Sequence, residues 1–422
     1  MTTLTDPPKE QFRLSMLLYD TRYRSATIQV IALIGFMLLA AWIISNTIQN
    51  LEGLGKPVEF GFFAESASYD INQRLLEYTS QDSHLRAAFI GLLNTLVVAV
   101  LGCITATIVG VFVGVLRLSN NWLVARIMTF YVEIFRNVPV LLWIVLAMAI
   151  LIEGLPAPNA FRGDNPTATM DLFNTVAVTN RGVYIPEFLF SRSLGDIHLF
   201  GTSSLRFDIS LDLVAFLVVL GGSIFTMRKV SAWAAAKQES TGDRPKIWHI
   251  QLGILFVPMI ILMTALGLHL GYPELKGFNF RGGTHMRNSL IALWLALSLY
   301  TAAFIAEIVR AGILAISKGQ TEAASALGLR PGRTMRLVIL PQALRVIIPP
   351  MISNYLNLTK NSSLAIAVGY MDITGTLGGI TMNQTGRELE CVLLLMLVYL
   401  AISLSISAVM NWYNNRVKLV ER

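Results

Sequence analysis

The chain has 422 residues, of which 54% are hydrophobic and only 14% are charged, and its mean hydropathy is +0.59. A soluble domain carries about 25% charged residues, so this composition excludes an ordinary soluble protein and indicates a membrane protein. The excess of 33 Lys and Arg over 26 Asp and Glu reflects membrane topology rather than a nucleic-acid surface. Cys103 and Cys391 lie in apolar stretches and are expected to be packing residues.

Apolar runs predict an all-α membrane protein with about eight transmembrane helices. A helix needs about 17 to 25 apolar residues to cross the bilayer. Such runs lie near residues 26–46, 87–116, 138–155, 211–227, 249–270, 289–312, 343–368 and 390–412. The first is expected to be a retained helix rather than a cleaved signal peptide, because the residues before it are polar. Pro349 and Pro350 interrupt the seventh, which predicts a discontinuous helix.

The distribution of basic residues predicts the orientation of these helices. With both chain ends in the cytoplasm, the inner segments hold 20 Lys and Arg residues and the outer segments hold 11. The positive-inside rule favours this arrangement. The loops 47–86 and 156–210 then lie outside, and the second contains the strand-prone run Gly182-Val183-Tyr184-Ile185.

These elements predict four regions. Residues 1–86 form the N-terminal tail, the first helix and an external loop, and residues 87–155 form the first part of a core. Residues 156–288 are an insertion with an external loop and two extra helices, and residues 289–422 complete the core. Within the second helix, Gly110 and Gly114 form a GxxxG motif that allows close helix approach, either for plain packing or at a moving interface.

The sequence lacks the motifs of several enzyme classes. It contains no GxxxxGK[ST] phosphate loop, no HExxH zinc motif and no GxSxG nucleophile elbow, and its five histidines are scattered. We therefore expect no catalytic residues, no metal site and no enzyme activity in this chain.

Two pairs of charged residues near predicted helix ends have the spacing of intrahelical ion pairs. Glu133 and Arg136 precede the third span, and Glu307 and Arg310 lie near the inner end of the sixth. Residues three apart are neighbours on a helix surface. Each pair is interpreted either as a structural ion pair or as part of a gate.

The segment Gly319–Pro341 is a polar, basic interruption between two apolar spans. Ser317 followed by Gln320 predicts a capping box, and good helix formers run from Gln320 to Leu327. Gly328 is suited to end that helix, and Pro331 to open a second short one. We therefore predict two brief cytoplasmic helices joined by a glycine turn.

The same segment carries a motif with fixed spacing. Its members are Glu322-Ala323-Ala324, Gly328, Val338 and Leu340-Pro341. The pattern resembles the EAA loop of ABC-importer permeases, which docks on a separate ATPase. Val338 departs conservatively from the isoleucine that is usual in the family. A chance match of an amphipathic loop is the alternative.

Further segments resemble the polar-amino-acid permeases within this family. They are Gly91-Leu92-Leu93-Asn94-Thr95, Tyr131-Val132-Glu133 with Arg136-Asn137-Val138-Pro139, Ala302 to Arg310, and Lys360-Asn361-Ser362-Ser363-Leu364. Together they cover roughly residues 87–155 and 289–413. The extra length, with Phe278-Asn279-Phe280-Arg281-Gly282-Gly283, resembles the larger permeases of general L-amino-acid import systems.

The resemblance implies an importer subunit in the bacterial inner membrane with a five-helix core. Its partners would be ABC ATPase subunits, a second permease, an extracytoplasmic amino-acid-binding protein and membrane lipid, but no nucleic acid. The two permeases would form a homodimer or, as is general for the larger permeases of the resembled type, a heterodimer. The chain would bind no cofactor itself, because ATP and Mg²⁺ belong to the ATPase. The alternatives are a stand-alone secondary transporter or channel for small polar solutes, and a scaffold that recruits ATPases without conducting.

The chemistry of the docking loop follows from its residue types. Ala323, Ala324 and Ala326 predict a slim helix that can enter a groove, and Glu322 lies near its N-terminus, where the helix dipole favours a carboxylate. Cations surround this helix and can pair with acids of the partner, or can serve only as positive-inside charges; they are Lys318, Arg330, Arg333 and Arg336.

Polar residues inside the seventh span are candidates for the substrate path, since such groups are costly in lipid. Asn354, Asn357 and Asn361 share one helix face, and Lys360 flanks it. Lys360 is suited to meet a substrate carboxylate, with Ser362 and Ser363 as further donors. Alternatively, Lys360 reaches the outer interface above a network of amide hydrogen bonds between helices.

Overall fold

The computed structural model describes residues 16–163, 165–199, 207–243 and 245–417. Contacts divide the chain into two compact units, one up to Phe60 and one from Gly61 onwards. The first unit contains the short helix α1 (Met16–Tyr19) and the long helix α2 (Thr21–Gly53). The most apolar stretch of α2 buries no residue within the chain, as expected for a helix surrounded by lipid or by another chain. The predicted cytoplasmic chain ends lie outside the described residues.

The second unit contains the other helices. In chain order these are α3 (His84–Leu116), α4 (Trp122–Asn137), α5 (Val140–Glu153), the one-turn element α6 (Asp171–Asn174), α7 (Leu211–Thr241), α8 (Trp248–Ala265), α9 (Asn288–Leu314), α10 (Lys318–Ala326), α11 (Pro331–Thr334), α12 (Leu340–Asn361), α13 (Met382–Thr385) and α14 (Glu388–Val417). 3₁₀ turns occupy Gly61–Ala64, Pro158–Phe161 and Ser362–Val368, and wider π turns occupy Met335–Ile339 and Thr374–Thr381.

Eight helices of the described chain are long and apolar enough to cross a membrane, as the sequence predicted. Several differ from the predicted bounds, including the first, fourth, fifth and seventh. The fourth span continues beyond residue 227 as a polar extension to Thr241. The fifth ends at Ala265 rather than residue 270, because Leu268–Gly271 is a strand. The backbone groups of Leu268–Gly271 bond to another strand, so these residues cannot continue the helix.

The centre of the second unit is α9, which is the most deeply buried of the eight spans. It contacts α3, α4, α5 and α12. Gly110 and Gly114 of α3 face Ile305 and Ala306 of α9 and leave no room there for a Cβ atom. The GxxxG motif therefore serves close packing of these two helices.

Residues 61–86, which we predicted as part of the N-terminal region, pack against this helical core. Ile71 and Tyr78 are buried in one cluster with Ala87 and Ile90 of α3. The predicted region boundary at residue 86 stays a prediction. The buried cluster contains residues from both sides of it, so the segments before and after residue 86 pack together.

The described residues between α5 and α9 contain nine short strands. They are β1 (Ala177–Thr179), β2 (Gly182–Ile185), β3 (Glu187–Phe190), β4 (Asp196–Leu199), β5 (Phe207–Ser210), β6 (Leu268–Gly271), β7 (Glu274–Lys276), β8 (Asn279–Arg281) and β9 (Thr284–Arg287). The strand-prone run at 182–185 is confirmed as β2. All strand pairs are antiparallel, in the orders β1-β2-β9, β3-β6, β4-β5 and β7-β8.

The pairing of β2 with β9 and of β3 with β6 connects segments on either side of the α7–α8 hairpin. Tyr184 lies opposite His285, and Phe188 lies opposite Leu270. Ala177, Tyr184 and Phe280 form a small buried core, with Phe161 against it. We call the described parts of residues 158–190 and 268–287 the β-layer. The insertion thus contains a folded β-layer as well as the two predicted extra helices.

Candidate docking site and transport path

The docking helix α10 forms close to its predicted position, but without the predicted capping box. Ser317 has the backbone conformation of an N-cap, yet its hydroxyl makes no capping hydrogen bond. The side-chain oxygen of Gln320, Oε1, instead accepts a hydrogen bond from the side-chain amide of Gln342, at 3.4 Å. The capping box was wrong because Gln320 pairs with a residue of α12 rather than with its own helix start.

The C-terminal end of α10 is a Schellman motif. Gly328 has φ +76°, a left-handed conformation that favours glycine. Its N–H donates to the carbonyl of Ser325 at 2.9 Å, and the N–H of Leu329 donates to that of Ala324 at 3.1 Å. Both bonds satisfy carbonyls that a helix end leaves free. The predicted role of Gly328 in ending this helix is therefore present in the geometry.

The exposure of α10 defines which residues can meet a partner. Ala324 is only 4% exposed, and α10 packs against α11 and the π turn at Met335–Ile339. Glu322, Ala323 and Ala326 are exposed, and Leu327 is 82% exposed. Ala324 thus packs against its own chain. Only Ala323 and Ala326 are free to enter a groove of a partner, whereas we predicted this role for all three alanines.

The cations around α10 remain unneutralised by the chain itself. Lys318, Arg330, Arg333 and Arg336 are all exposed. Among the described residues, no carboxylate lies within ion-pair distance of any of them. The site therefore presents an apolar leucine and a free carboxylate, Glu322, within a positive surface.

The second predicted short helix is not brief, because α11, the π turn and α12 run on as a single span. Within this run, the N–H of Leu340 donates to the carbonyl of Met335, five residues earlier. Pro341 follows directly and has no N–H to continue the regular pattern. Leu340 and Pro341 therefore lie at the junction of the docking segment and the membrane span, and both are exposed.

The seventh span is not interrupted at Pro349 and Pro350, contrary to our prediction. Both prolines lie inside α12. Each proline removes one backbone hydrogen bond but has a φ close to the helical value. The carbonyls that lose their donors are those of Arg345 and Val346, four residues before the prolines. The side-chain amide of Asn354 donates to the carbonyl of Pro350 at 3.0 Å. The helix changes its winding only after Asn361, where Ser362–Val368 form a 3₁₀ turn that ends at Gly369.

The candidate path residues lie in two environments. Asn357 and Lys360 are exposed, whereas Asn354 and Asn361 are half-buried. Ser362 is buried and donates to the carbonyl of Thr359 at 2.8 Å, so its hydroxyl is occupied within the helix. The exposed face of α12 thus carries Lys360 and Asn357. Asn354 and Asn361 are only partly accessible beside them, and Ser362 faces the interior.

Glu307 lies at the centre of an arginine cluster. It pairs with Arg310 at 3.1 Å, forms a close ion pair with Arg117 at the end of α3, and lies 3.9 Å from Arg136 of α4. Glu133 does not pair with Arg136 among the described residues; its carboxylate accepts from the Asn137 amide at 3.3 Å. The described residues therefore do not contain the predicted Glu133–Arg136 ion pair, because three arginines from different helices converge on Glu307. The alternative, a role in a gate, stays a prediction.

Sequence reasoning missed the role of the Gly91–Thr95 motif, which holds the loop after the 3₁₀ turn. The amide of Asn94 donates to the carbonyls of Gln73 and Met371, at 2.7 and 2.8 Å. The Thr95 hydroxyl accepts from the N–H of Ile373 at 3.1 Å. Gly91 leaves no space for a side chain against Asp372. The motif itself was the available signal, but its partners are about 280 residues away.

The loop held by this motif contains a buried acid. Asp372 is fully buried, and its carboxylate accepts from the N–H of Gly375 at 2.9 Å and from the Tyr399 hydroxyl at 3.3 Å. Burial raises the pKa of Asp372 to about 6, since a charged carboxylate loses its hydration there.

Residues 245–419 match the family described as "Binding-protein-dependent transport system inner membrane component". The "Glutamate/glutamine/aspartate/asparagine transport system permease protein BztB" of Rhodobacter capsulatus is 58% identical to this chain over 430 residues, covering 100% of both. The "Putative amino-acid ABC transporter permease protein YhdX" of Escherichia coli is 41% identical, covering 94% of this chain and 95% of that one. This chain belongs to the permeases of amino-acid ABC transporters.

A further relative agrees with this membership. The "General L-amino acid transport system permease protein AapQ" of Rhizobium johnstonii is 39% identical, covering 97% of this permease and 96% of that one. A crystal structure of an amino-acid ABC transporter with histidines matches 79% of this chain and 95% of its own, at 17% identity and a TM-score of 0.43. That level of similarity is too low to transfer any site. The permease is a multi-pass membrane protein of the larger type that the sequence suggested.

Proposed function

We propose that this permease imports amino acids by ATP-driven alternating access and is coupled to separate ATPase subunits through α10. The observation that carries the proposal is the exposed outer surface of α10. Leu327 is 82% exposed beside Glu322 and Ala326, on a helix that Ala324 and the Schellman motif fix to the membrane spans. Binding of a short helix in a groove requires an apolar anchor of this kind.

The position of α10 suits transmission of movement. It lies between the two central spans α9 and α12, which contact each other. A displacement of α10 by a closing ATPase would therefore move both spans together as rigid elements. ATP and Mg²⁺ are held by the ATPase in this proposal, and this chain binds no cofactor, consistent with its lack of a phosphate loop.

The remaining partners follow from the family. A second, different permease completes the path in a heterodimer, and an extracytoplasmic binding protein supplies the substrate. The N- and C-termini and α10 lie in the cytoplasm of a bacterium, in line with the distribution of Lys and Arg. The stand-alone transporter alternative predicts no ATPase partner and gives no reason for the exposed α10.

The proposed substrates are glutamate, glutamine, aspartate and asparagine, the amino acids in the name of the relative that is 58% identical to this chain. Lys360 supports this proposal as an exposed cation on α12 without an ion-pair partner among the described residues. Asn354, Asn357 and Asn361 would add amide groups for the substrate, and the alternative is that Lys360 reaches the outer interface.

Ala326→Trp tests the docking proposal, because it adds bulk to the exposed face of α10 without touching the buried Ala324. We expect loss of ATPase co-purification and of ATP-dependent uptake, with normal membrane insertion. Ala236→Trp is the matched control, since Ala236 is an exposed alanine near the polar end of α7. Gly328→Asp, which strains the left-handed position, should give the same loss. Wild-type uptake by Ala326→Trp would count against docking at α10.

A further inference from the structure

The β-layer holds the exposed side chain of Phe278 on a rigid support. Phe278 lies in the tight turn between β7 and β8 and is 86% exposed. Gly277 allows this turn with φ +66°. Two residues later, Phe280 is buried, with ring centroids 5.3 Å from Phe161 and 5.4 Å from Tyr184. The turn is therefore fixed by its own core, and exposure of Phe278 is a stable feature of the fold.

Two arginines surround this phenylalanine. The guanidinium of Arg162 lies 5.4 Å from the centroid of the Phe278 ring, and Arg181 donates to the Phe278 carbonyl at 3.2 Å. Within the described chain, neither guanidinium has a carboxylate at ion-pair distance. We call Arg162, Arg181 and Phe278 the Phe278 patch. A pre-ordered aromatic ring with arginines has the composition of an interface hot spot.

The patch lies across the membrane from the docking helix. β9 leads through Arg287 directly into α9, and α10 follows the other end of α9. The 27 residues of α9 span about 40 Å at helical rise, which exceeds the thickness of the bilayer core. If α10 faces the cytoplasm, the patch faces outward, away from the anionic cytoplasmic leaflet that attracts basic surfaces.

Hydrogen bonds connect the patch to the transport core. Arg181 follows Asn180, whose carbonyl accepts a hydrogen bond from the amide of Asn288, the first residue of α9, at 2.7 Å. Gln73 accepts from the N–H of Arg287 at 3.0 Å. Because Asn94 donates to Gln73, the same chain of bonds reaches the loop that holds Asp372. A protein bound at the patch would thus contact elements joined to α9 and to this loop.

We infer that the Phe278 patch is a docking surface for the extracytoplasmic binding protein, which would offer an apolar hollow with acidic residues around it. This inference rests on the proposed function, since it requires a binding-protein-dependent importer. Arg162 and Arg181, which have no ion-pair partner among the described residues, supply the charge complementarity. Phe278 supplies the apolar anchor.

The test uses the full importer in lipid nanodiscs, with the amino-acid-loaded binding protein titrated against ATPase activity. Phe278→Ala should raise the half-maximal binding-protein concentration about tenfold or more. Phe225→Ala is the matched control, because Phe225 of α7 is exposed and also has a cation, Lys229, 4.8 Å from its ring. Arg162→Glu should raise the same concentration and weaken its dependence on salt.

An unchanged half-maximal concentration in Phe278→Ala and Arg162→Glu would overturn the inference. So would an effect that appears only when anionic lipid is varied and that does not depend on binding-protein concentration, since the patch would then contact lipid. Co-purification of the ATPase is measured on the same preparations. Loss of ATPase co-purification is expected in Ala326→Trp but not in Phe278→Ala or Arg162→Glu. Failure of the proposed ATPase docking can therefore be distinguished from failure of the inference about the Phe278 patch.

Discussion

Substitution of Gly110 tests whether α3 and α9 are in direct backbone contact. A Cβ atom at Gly110 would lie 2.6 Å from the Ile305 Cβ, 2.7 Å from its Cγ2 and 2.9 Å from the Ala302 carbonyl. Ordinary contacts between such atoms are about 3.5 to 4.0 Å, so the helices must separate by roughly 1 Å. Since one of the obstructing atoms is backbone, rotation of a side chain cannot relieve the overlap.

We therefore expect Gly110→Ala to destabilise the permease by about 1–3 kcal/mol, the usual cost of overpacking. Gly221→Ala is the matched control, because Gly221 lies inside α7 with no atom within 4 Å of an added Cβ. Alanine favours the helix there, so the control should be neutral or more stable by up to about 1 kcal/mol.

The assay is unfolding of the purified permease in detergent, followed by circular dichroism during titration with a denaturing detergent. Gly110→Ala should lower the unfolding midpoint, whereas Gly221→Ala should leave it unchanged or raise it. Equal stability of Gly110→Ala and the wild type would refute the close contact of α3 and α9. Gly114→Ala offers an independent repeat, since its Cβ would lie 2.7 Å from the Ala306 carbonyl.

Three further predictions concern buried polar groups and use the same unfolding assay. Asn94→Leu should cost about 2–4 kcal/mol, because two buried carbonyls lose their donor, whereas Asn411→Leu at an exposed site should change little; equal effects would contradict this role. Asp372 has a folded-state pKa of about 6 against the ordinary 3.8. The protonated carboxyl therefore stabilises the fold most below about pH 4. As the pH rises through 6, the free energy of unfolding should fall by about 3 kcal/mol, and the Asp372→Asn variant should not show this fall. Glu307→Gln should cost about 3 kcal/mol by leaving three arginines without their acid, and Glu133→Gln should cost under about 1 kcal/mol; similar losses would show that Glu307 does not hold the cluster together.

Several elements could be predicted because their causes are local. The eight spans follow from apolar length, since lipid forces each crossing segment to satisfy its own backbone in a helix. Gly328 could be recognised because a left-handed helix end depends on one residue and its immediate neighbours. The strand at Gly182–Ile185 was predicted from residue type, but its partner β9 lies about 100 residues further along the chain.

Other features depended on residues far apart in sequence. Gln320 had the spacing of a capping box, yet Gln342 is its partner. Arg136 had the spacing to pair with Glu133, yet Glu307 is the nearest acid, and Phe304 lies under its guanidinium at 5.4 Å. In each case a local pair competed with a contact between helices. The packing of α4 against α9 decided the outcome for Arg136, and the hydrogen bond from Gln342 decided that for Gln320.

The sequence by itself determined that this is a multi-span permease with an EAA motif, because hydrophobic length and the EAA spacing are written in short stretches of chain. Only the tertiary structure decided which surface of α10 is free, which acid the arginines share and where Asn94 and Phe278 lie. Those properties arise from segments separated by tens to hundreds of residues, and a single sequence does not state which of them meet.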